Sequence, residues 1–141
     1  MGKKNNKVIG IIDYCMGNIN AFKNIYNQNG IDTKIINNFD DFDTDIKKII
    51  LPGVGSFDYA IQSLKSNGLL ERIERFIKNP DNFLLGICLG MQILCLKSEE
   101  GLENGMGIFN KKIKKFNNIS IPHLGWNTVN ILKEDLLLNN I

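Results

Sequence analysis

Short apolar runs alternate with longer amphipathic stretches along the first two thirds of this 141-residue chain. The runs are bounded by glycine, proline, asparagine or aspartate and predict buried strands at residues 8–12, 33–36, 48–51 and 83–87. Between them, apolar residues recur at helical spacing and predict helices from Ile19, after Ser56 and from Leu69, and residues 91–96 predict the start of a helix after the last strand. This alternation predicts an α/β fold with a mostly parallel sheet and helices on both faces.

The pattern changes after residue 101, where three glycines precede segments with the alternation of strands. Residues 108–116 and 120–124 predict strands, and Val129 with Ile131 predicts the continuation of one. We therefore expect a β-rich segment after residue 101. Residues 1–7 form a short polar tail, and residues 8–141 are long enough for one domain.

Composition narrows the class of protein. Hydrophobic residues make up 43% of the chain and charged residues 23%, which is typical of a globular domain. The net charge of +2 favours neither nucleic acid nor a membrane as partner, and no apolar run approaches the length of a membrane span. Three cysteines without C-x-x-C spacing and a single histidine exclude most zinc sites, so we expect no metal, no cofactor and a cytoplasmic location.

Cys88 lies at the predicted turn between strand 83–87 and the following helix, with Gly86 and Gly90 two residues to either side. This is the Gly-x-nucleophile-x-Gly spacing of a nucleophile elbow, with cysteine in place of serine. In such a turn the backbone is strained, and Cβ atoms at the two glycines would collide with the neighbouring strand or helix. The N–H of Leu89 is then a candidate donor to an oxyanion. The alternative is that Cys88 is a small buried core residue.

A second glycine-rich loop, residues 52–55, follows another predicted strand. Because functional loops of parallel sheets gather at the carboxyl ends of the strands, we expect this loop, residues 13–18 and Cys88 to share one edge. The glycines of the loop allow a peptide N–H to point toward the thiol as a second oxyanion donor. Gln92, one helical turn after Cys88, can orient an amide substrate.

Four strings of residues resemble those of a known family. They are IDYCMGN at 12–18, LPGVGSF at 51–57, LGICLGMQ at 85–92 and PHLGWN at 122–127. The third string is similar to that of the class I (triad) glutamine amidotransferases in general. The other three resemble more specifically the glutaminase subunits of imidazole glycerol phosphate synthase, of histidine biosynthesis. The resemblance covers the chain from Val8 onward and implies a flavodoxin-like fold that is incomplete at its C-terminus.

The resemblance implies a glutaminase in which Cys88 attacks the side-chain amide of glutamine, forms a glutamyl thioester and releases ammonia. The implied oxyanion hole is Gly53, Val54 and Leu89, and the implied glutamine-binding residues are Gln92, Met91 and Gly55. In the family, the ammonia passes to a (β/α)8-barrel synthase/cyclase subunit in a cytoplasmic heterodimer, which makes imidazole glycerol phosphate and AICAR. The residues implied to lie at this interface or beside the site are Tyr14, Met16, Gly17, Asn18, His123, Gly125, Trp126 and Asn127.

The sequence departs from the family pattern in two places. Cys15 stands where the family usually has glycine, so we expect a shifted loop. The family's catalytic histidine and glutamate follow well after the PHLGWN string, and the sequence ends before them. We therefore expect the N-terminal two thirds of a glutaminase domain, with negligible glutamine turnover by this chain alone. Two alternatives stay open: a paralogous subunit that supplies ammonia to a surface-sugar amidotransferase, and a truncated, non-catalytic binding module.

Overall fold

The computed structural model describes residues 8–43, 45–135 and 137–138, and it is built around a four-stranded parallel sheet. In the register of the sheet, Ile9 lies opposite Lys48 and Lys48 lies opposite Phe83, so the loops after these strands leave from the same edge. The four predicted strands and the parallel sheet are confirmed. The strands are β1 (Ile9–Ile12), β2 (Thr33–Ile36), β3 (Lys48–Leu51) and β4 (Phe83–Gly86), in the order β2-β1-β3-β4.

Three helices connect these strands and begin where the sequence predicts. They are α1 (Ile19–Gln28), between β1 and β2, and the pair α2 (Phe57–Ser66) and α3 (Leu69–Phe76), between β3 and β4. Side-chain caps fix two of these starts, because they bind backbone N–H groups that lack a partner within the helix. Asn18 Oδ1 accepts from the N–H of Ala21 at 3.2 Å, and Ser56 Oγ accepts from the N–H of Tyr59 at 3.4 Å.

The two faces of the sheet are covered unequally. The α2 and α3 helices pack on one face, where the buried core includes Ile12, Ile36, Ile49, Leu51, Phe57, Ile61, Leu64, Leu69 and Ile73. On the opposite face, Tyr26 of α1 borders an open groove with Ile9, Ile50 and Phe83, and Phe83 is 55% exposed. Helices flank both faces, as predicted, and the face under α2 and α3 is the better covered.

The helix predicted at residues 91–96 is wrong beyond its first turn. The structure has a single turn, α4 (Leu89–Gln92), followed by strand β5 (Cys95–Ser98). The returning chain takes the carbonyl groups that a longer helix would use internally: the N–H of Met106 donates to the carbonyl oxygen of Ile93 at 2.8 Å. The helix ends because its next acceptors already have partners from downstream.

In the described residues, the β-rich segment expected after residue 101 contains a single strand. This strand, β6 (Phe109–Ile113), pairs in parallel with β5 as a separate two-stranded sheet. The strands predicted at residues 120–124 and around Val129 and Ile131 are wrong, since these residues lie outside any strand. All residues from 114 to 135 are exposed. An alternating pattern alone does not form a strand, because the backbone also needs a hydrogen-bonded neighbour.

Candidate active site

Cys88 occupies the turn between β4 and α4, and its side chain is exposed. Its backbone has φ 55° and ψ −118°, a conformation that L-residues rarely adopt. The strain expected at the nucleophile position is therefore confirmed. The alternative of a buried core cysteine is wrong for Cys88, whereas Cys95 of β5 is buried.

Gly86 and Gly90 allow close packing on both sides of this turn. A Cβ atom at Gly90 would lie 1.7 Å from the carbonyl oxygen of Leu51, and one at Gly86 would lie 2.7 Å from Cα of Met91. The collisions predicted for these positions are confirmed. The close approach sets the start of α4 directly against the end of β3, where the 52–55 loop begins.

The 52–55 loop lies beside the elbow, as the sheet topology predicts. The N–H of Leu89 donates to the carbonyl oxygen of Gly53 at 3.3 Å, so the expected oxyanion donor already has a protein partner. The peptide that carries this carbonyl also carries the N–H of Val54. For both N–H groups to donate toward a substrate on Cys88, this peptide must turn so that its carbonyl leaves Leu89. The oxyanion roles of Gly53, Val54 and Leu89 stay predictions, and they require this motion.

Tyr14 lies beneath the 52–55 loop. Its side chain is fully buried, and its Oη donates to the carbonyl oxygen of Pro52 at 2.7 Å. Burial raises the pKa of the Tyr14 phenol, and the negative charge of the Cys88 thiolate raises it further. The phenol therefore stays protonated and remains a donor.

The backbone of Tyr14 is itself tied to a helix. The hydroxyl of Ser63 in α2 donates to the carbonyl oxygen of Tyr14 at 2.7 Å. The sequence predicts Tyr14 near the site through its place in the IDYCMGN string, but it does not predict these contacts. Nothing in the sequence marks Ser63 as a partner of Tyr14, because a serine within an amphipathic helix is an ordinary surface residue.

The 13–18 loop packs against the neighbouring glycine-rich loop, which confirms that the two share one edge of the sheet. A Cβ atom at Gly17 would lie 3.6 Å from Cα of Gly53, and one at Gly55 would lie 2.7 Å from Cε of Met16. The loop thus forms one wall beside the segment that has to turn.

Cys15 has a backbone of the kind that glycine favours. It is exposed, its φ is 66°, and its N–H donates to Oδ1 of Asp13 at 3.0 Å. A left-handed conformation is strained for an L-residue and free of that strain for glycine. The cysteine therefore adds local strain to this loop, and the shifted loop stays a prediction.

The predicted glutamine-binding residues surround the elbow. The N–H of Gln92 donates to the carbonyl oxygen of Cys88 at 3.1 Å, which confirms that Gln92 lies one helical turn from the nucleophile. Gln92 is half-buried, while Met91 and Gly55 are exposed. Their roles in binding glutamine stay predictions.

The 122–127 segment lies outside any helix or strand and is exposed throughout. His123, Gly125, Trp126 and Asn127 all belong to it, and Trp126 is 104% exposed. Nε2 of His123 lies 3.1 Å from Nδ2 of Asn127, and the His123 ring packs edge-on against Phe116. These contacts do not link the segment to the elbow, and its place at an interface stays a prediction.

Metal clusters and membrane spans are both missing from the part of the chain that the structure describes. There, no group of three or more histidine, cysteine, aspartate or glutamate side chains is arranged to hold a metal ion. None of the helices in these ranges combines the length and the apolar character needed to cross a bilayer.

Known proteins resemble this chain in sequence and in fold. The family model described as "Glutamine amidotransferase class-I" matches residues 10–140. "Imidazole glycerol phosphate synthase subunit HisH" of Leptospira borgpetersenii is 39% identical over 140 residues, which cover 95% of this chain and 68% of the relative. Similarly named subunits of Methanococcus maripaludis and Cyanophora paradoxa are 42% and 44% identical, over 95% and 93% of this chain and 67% and 62% of their own lengths.

A solved structure described as "Crystal structure of glutamine amidotransferase" is similar in fold. It has a TM-score of 0.62 at 17% identity, over 75% of this chain and 55% of that chain. At this identity the likeness shows the fold alone. Measured against the first curated relatives, the chain spans about two thirds of their length.

Proposed function

Since this chain belongs to the class I glutamine amidotransferase family, we propose that it is the glutamine-hydrolysing subunit of an imidazole glycerol phosphate synthase. In this role it converts glutamine to glutamate and supplies the ammonia to a synthase partner. The observation that carries the proposal is the exposed, strained Cys88 beside the 52–55 loop. Strain at a nucleophile on a strand-to-helix turn is typical of covalent catalysis and adds nothing to packing.

In the proposed reaction, the Cys88 thiolate attacks the side-chain amide carbon of glutamine. A sulfur–carbon bond forms, and the amide oxygen takes the negative charge of a tetrahedral intermediate. The N–H groups of Leu89 and Val54 stabilise this oxygen once the Gly53–Val54 peptide has turned. The oxyanion re-forms the carbonyl as the carbon–nitrogen bond breaks, and ammonia leaves with a proton taken from water. A second water then cleaves the sulfur–carbon bond of the glutamyl thioester, which releases glutamate and frees Cys88.

The leaving nitrogen needs a general acid close to Cys88. His123 is the one histidine of the sequence, and it lies on the exposed 122–127 segment beside Asn127, so we do not assign it this role. A missing general acid lowers an enzymatic rate by roughly 10²–10⁴-fold. We therefore propose that the chain alone turns over glutamine at a negligible rate.

The glutamine substrate is proposed to lie between the elbow and the 52–55 loop, in contact with Gln92, Met91 and Gly55. The half-buried Gln92, one turn after the nucleophile, supports this placement because its amide can hydrogen-bond a polar substrate group. Gly55 has φ 115°, a conformation that glycine adopts without strain.

The proposed partner is a (β/α)8-barrel synthase/cyclase subunit, bound as a heterodimer through the 122–127 segment. Trp126 and Leu124 are both strongly exposed there, and large apolar side chains that are exposed together mark protein–protein interfaces. Trp126 is the one tryptophan of the chain, so its fluorescence reports this segment directly. Binding of a tryptophan-free barrel subunit should shift its emission to shorter wavelength. A complex with unshifted emission would place the interface elsewhere.

The γ-(4-nitrophenyl) ester of L-glutamate tests the nucleophile without a general acid. Its 4-nitrophenolate leaving group departs without being protonated, so acylation depends on the thiolate and on the glutamate pocket. We expect a stoichiometric burst of 4-nitrophenolate, and mass spectrometry should locate the glutamyl group on the peptide that contains Cys88.

Three controls make this result specific. Cys88→Ala should abolish the burst, while Cys15→Ser, which removes the other exposed cysteine, should retain it. The ester of D-glutamate should react far more slowly, because a pocket built for L-glutamine is stereospecific. A burst that survives Cys88→Ala, or equal bursts with the two enantiomers, would refute the proposed function. An unreactive chain would support the non-catalytic alternative.

A further inference from the structure

We propose that Tyr14 is a positioning residue for the oxyanion hole: it anchors the Pro52–Gly53 peptide so that only the next peptide, Gly53–Val54, turns. The inference rests on the proposed function, because the turning peptide has a purpose only where an oxyanion forms. Its starting point is the hydrogen bond from the buried Tyr14 Oη to the carbonyl oxygen of Pro52, at 2.7 Å.

Successive carbonyl groups of the loop are held by different donors. Tyr14 holds the carbonyl of Pro52, and the N–H of Leu89 holds the carbonyl of Gly53 at 3.3 Å. The first bond is short and buried, and the second is long, so the second is the easier to break. A turn of one peptide plane needs its neighbours to stay still, because otherwise the whole loop moves and Val54 misses the substrate.

The hydroxyl of Tyr14 also fills the space beside Gly53. A Cβ atom at Gly53 would lie 2.1 Å from Tyr14 Oη, 3.2 Å from Cβ of Leu89 and 3.3 Å from the backbone nitrogen of Gly90. Gly53 is thus confined between the phenol and the start of α4. This confinement limits sliding of the loop toward the core and leaves rotation as the available motion.

The anchor is fixed to the body of the domain. Ser63 of α2 donates to the carbonyl of Tyr14 at 2.7 Å, so a continuous set of hydrogen bonds runs from α2 through Tyr14 to Pro52. The burial of Tyr14 and, after it, the negative charge on Cys88 both raise the pKa of the phenol, so the donor stays in place while the thiolate is present.

Amide hydrogen exchange of the full chain, measured by NMR, tests the anchor without any catalysis. Tyr14→Phe keeps the ring and removes the donor, so the Leu89 amide should exchange about tenfold faster as its bond to Gly53 opens more often. The Ile93 amide, which donates to Leu89 within the same turn at 3.0 Å, should change by less than about twofold. Tyr26→Phe makes the same chemical change in the groove on the other face of the sheet, and it should leave both amides unchanged.

Two reagents then separate positioning from a general loss of structure. Acylation of Cys88 by the γ-(4-nitrophenyl) ester needs the oxyanion hole, and we expect Tyr14→Phe to slow it about tenfold. Alkylation by iodoacetamide forms no oxyanion, and it should change by less than about twofold. A structural role alone would alter both reactions together.

The possible outcomes decide the two proposals separately. Equal Leu89 exchange in Tyr14→Phe and Tyr26→Phe would overturn the role of Tyr14, and so would equal slowing of the two reagents. A wild-type chain that the ester does not acylate contradicts the proposed function, and in that case the exchange of Leu89 still decides whether Tyr14 holds the loop.

Discussion

Replacing Gly90 by alanine tests the packing that places Cys88 at the edge of the sheet. The new Cβ atom would lie 1.7 Å from the carbonyl oxygen of Leu51, half of the 3.4 Å at which ordinary contact begins. Both atoms are bound rigidly to backbone, so either the end of β3 or the start of α4 must move. The same carbonyl accepts from the N–H of Ile87 at 3.0 Å, and that bond is lost when the strand moves.

The expected destabilisation combines these two effects. Forcing a methyl group into a packed contact lowers the free energy of unfolding by about 1–3 kcal/mol. Leaving a buried backbone group without its partner costs about 1–3 kcal/mol more. The sum, about 2–6 kcal/mol, is comparable with the total stability of a marginal domain, which is about 5 kcal/mol. We therefore expect Gly90→Ala to be largely unfolded or to have a much lower midpoint in urea.

Gly30→Ala is the matched control, because it adds the same methyl group without a collision. Gly30 has φ 69°, and no heavy atom lies within 4 Å of the position that a Cβ atom would take there. The left-handed conformation costs an L-residue about 1–2 kcal/mol, and the lower entropy of the unfolded chain offsets about 0.4–1 kcal/mol of this. Urea titrations followed by circular dichroism measure both variants. If Gly90→Ala is destabilised no more than Gly30→Ala, α4 does not rest on β3 as described.

Two further predictions use the same titration. Cys15→Gly should raise the free energy of unfolding by about 0.5–1 kcal/mol, because glycine adopts φ 66° without strain; unchanged or lower stability would contradict the strain at this position. Hydrogen bonds from the N–H groups of Leu102 and Glu103 lower the pKa of Asp58. The stability that this carboxylate contributes is therefore present above the unfolded pKa of about 3.9 and is lost as the pH falls through the lower folded value. The urea midpoint should therefore fall below about pH 4, and it should fall less in Asp58→Asn. Equal pH dependence of the two proteins would show that this carboxylate does not hold residues 102–103.

The sheet and the elbow could be predicted because their signals are local. The strands are short apolar runs bounded by turn residues, and the burial of their side chains can be inferred from the residues within a few positions along the sequence. Gly86 and Gly90 mark close contacts by the absence of a side chain, and the structure places backbone atoms at both positions. The spacing marks Cys88 as a candidate nucleophile, and the alternative of a buried core residue is decided only by its exposure in the structure.

Elements that depend on distant partners could not be predicted. The carbonyl of Ile93 accepts from the N–H of Met106, which lies well downstream, so the helical pattern of residues 91–96 is overridden. Residues 120–124 have the alternation of a strand, but the pairing of β6 with β5 ends at Ile113 and leaves them exposed. In both cases the local structure depends on a hydrogen-bonding partner, present or missing, that is too distant in the sequence to enter a local pattern.

The direction of the Gly53–Val54 peptide could not be predicted from the sequence either, because glycine permits both orientations. In the structure, the carbonyl of Gly53 points toward Leu89, and one hydrogen bond satisfies both this carbonyl and the N–H of Leu89. With the peptide turned, the N–H of the buried Leu89 would lack an acceptor until an oxyanion arrives, and an unsatisfied buried donor costs about 1–3 kcal/mol. Residues suited to bind a negative oxygen therefore favour a closed arrangement when no such oxygen is present. The oxyanion hole is stable only when binding of the negative oxygen offsets the free-energy cost of the turned peptide. Its formation is therefore coupled to the attack by Cys88.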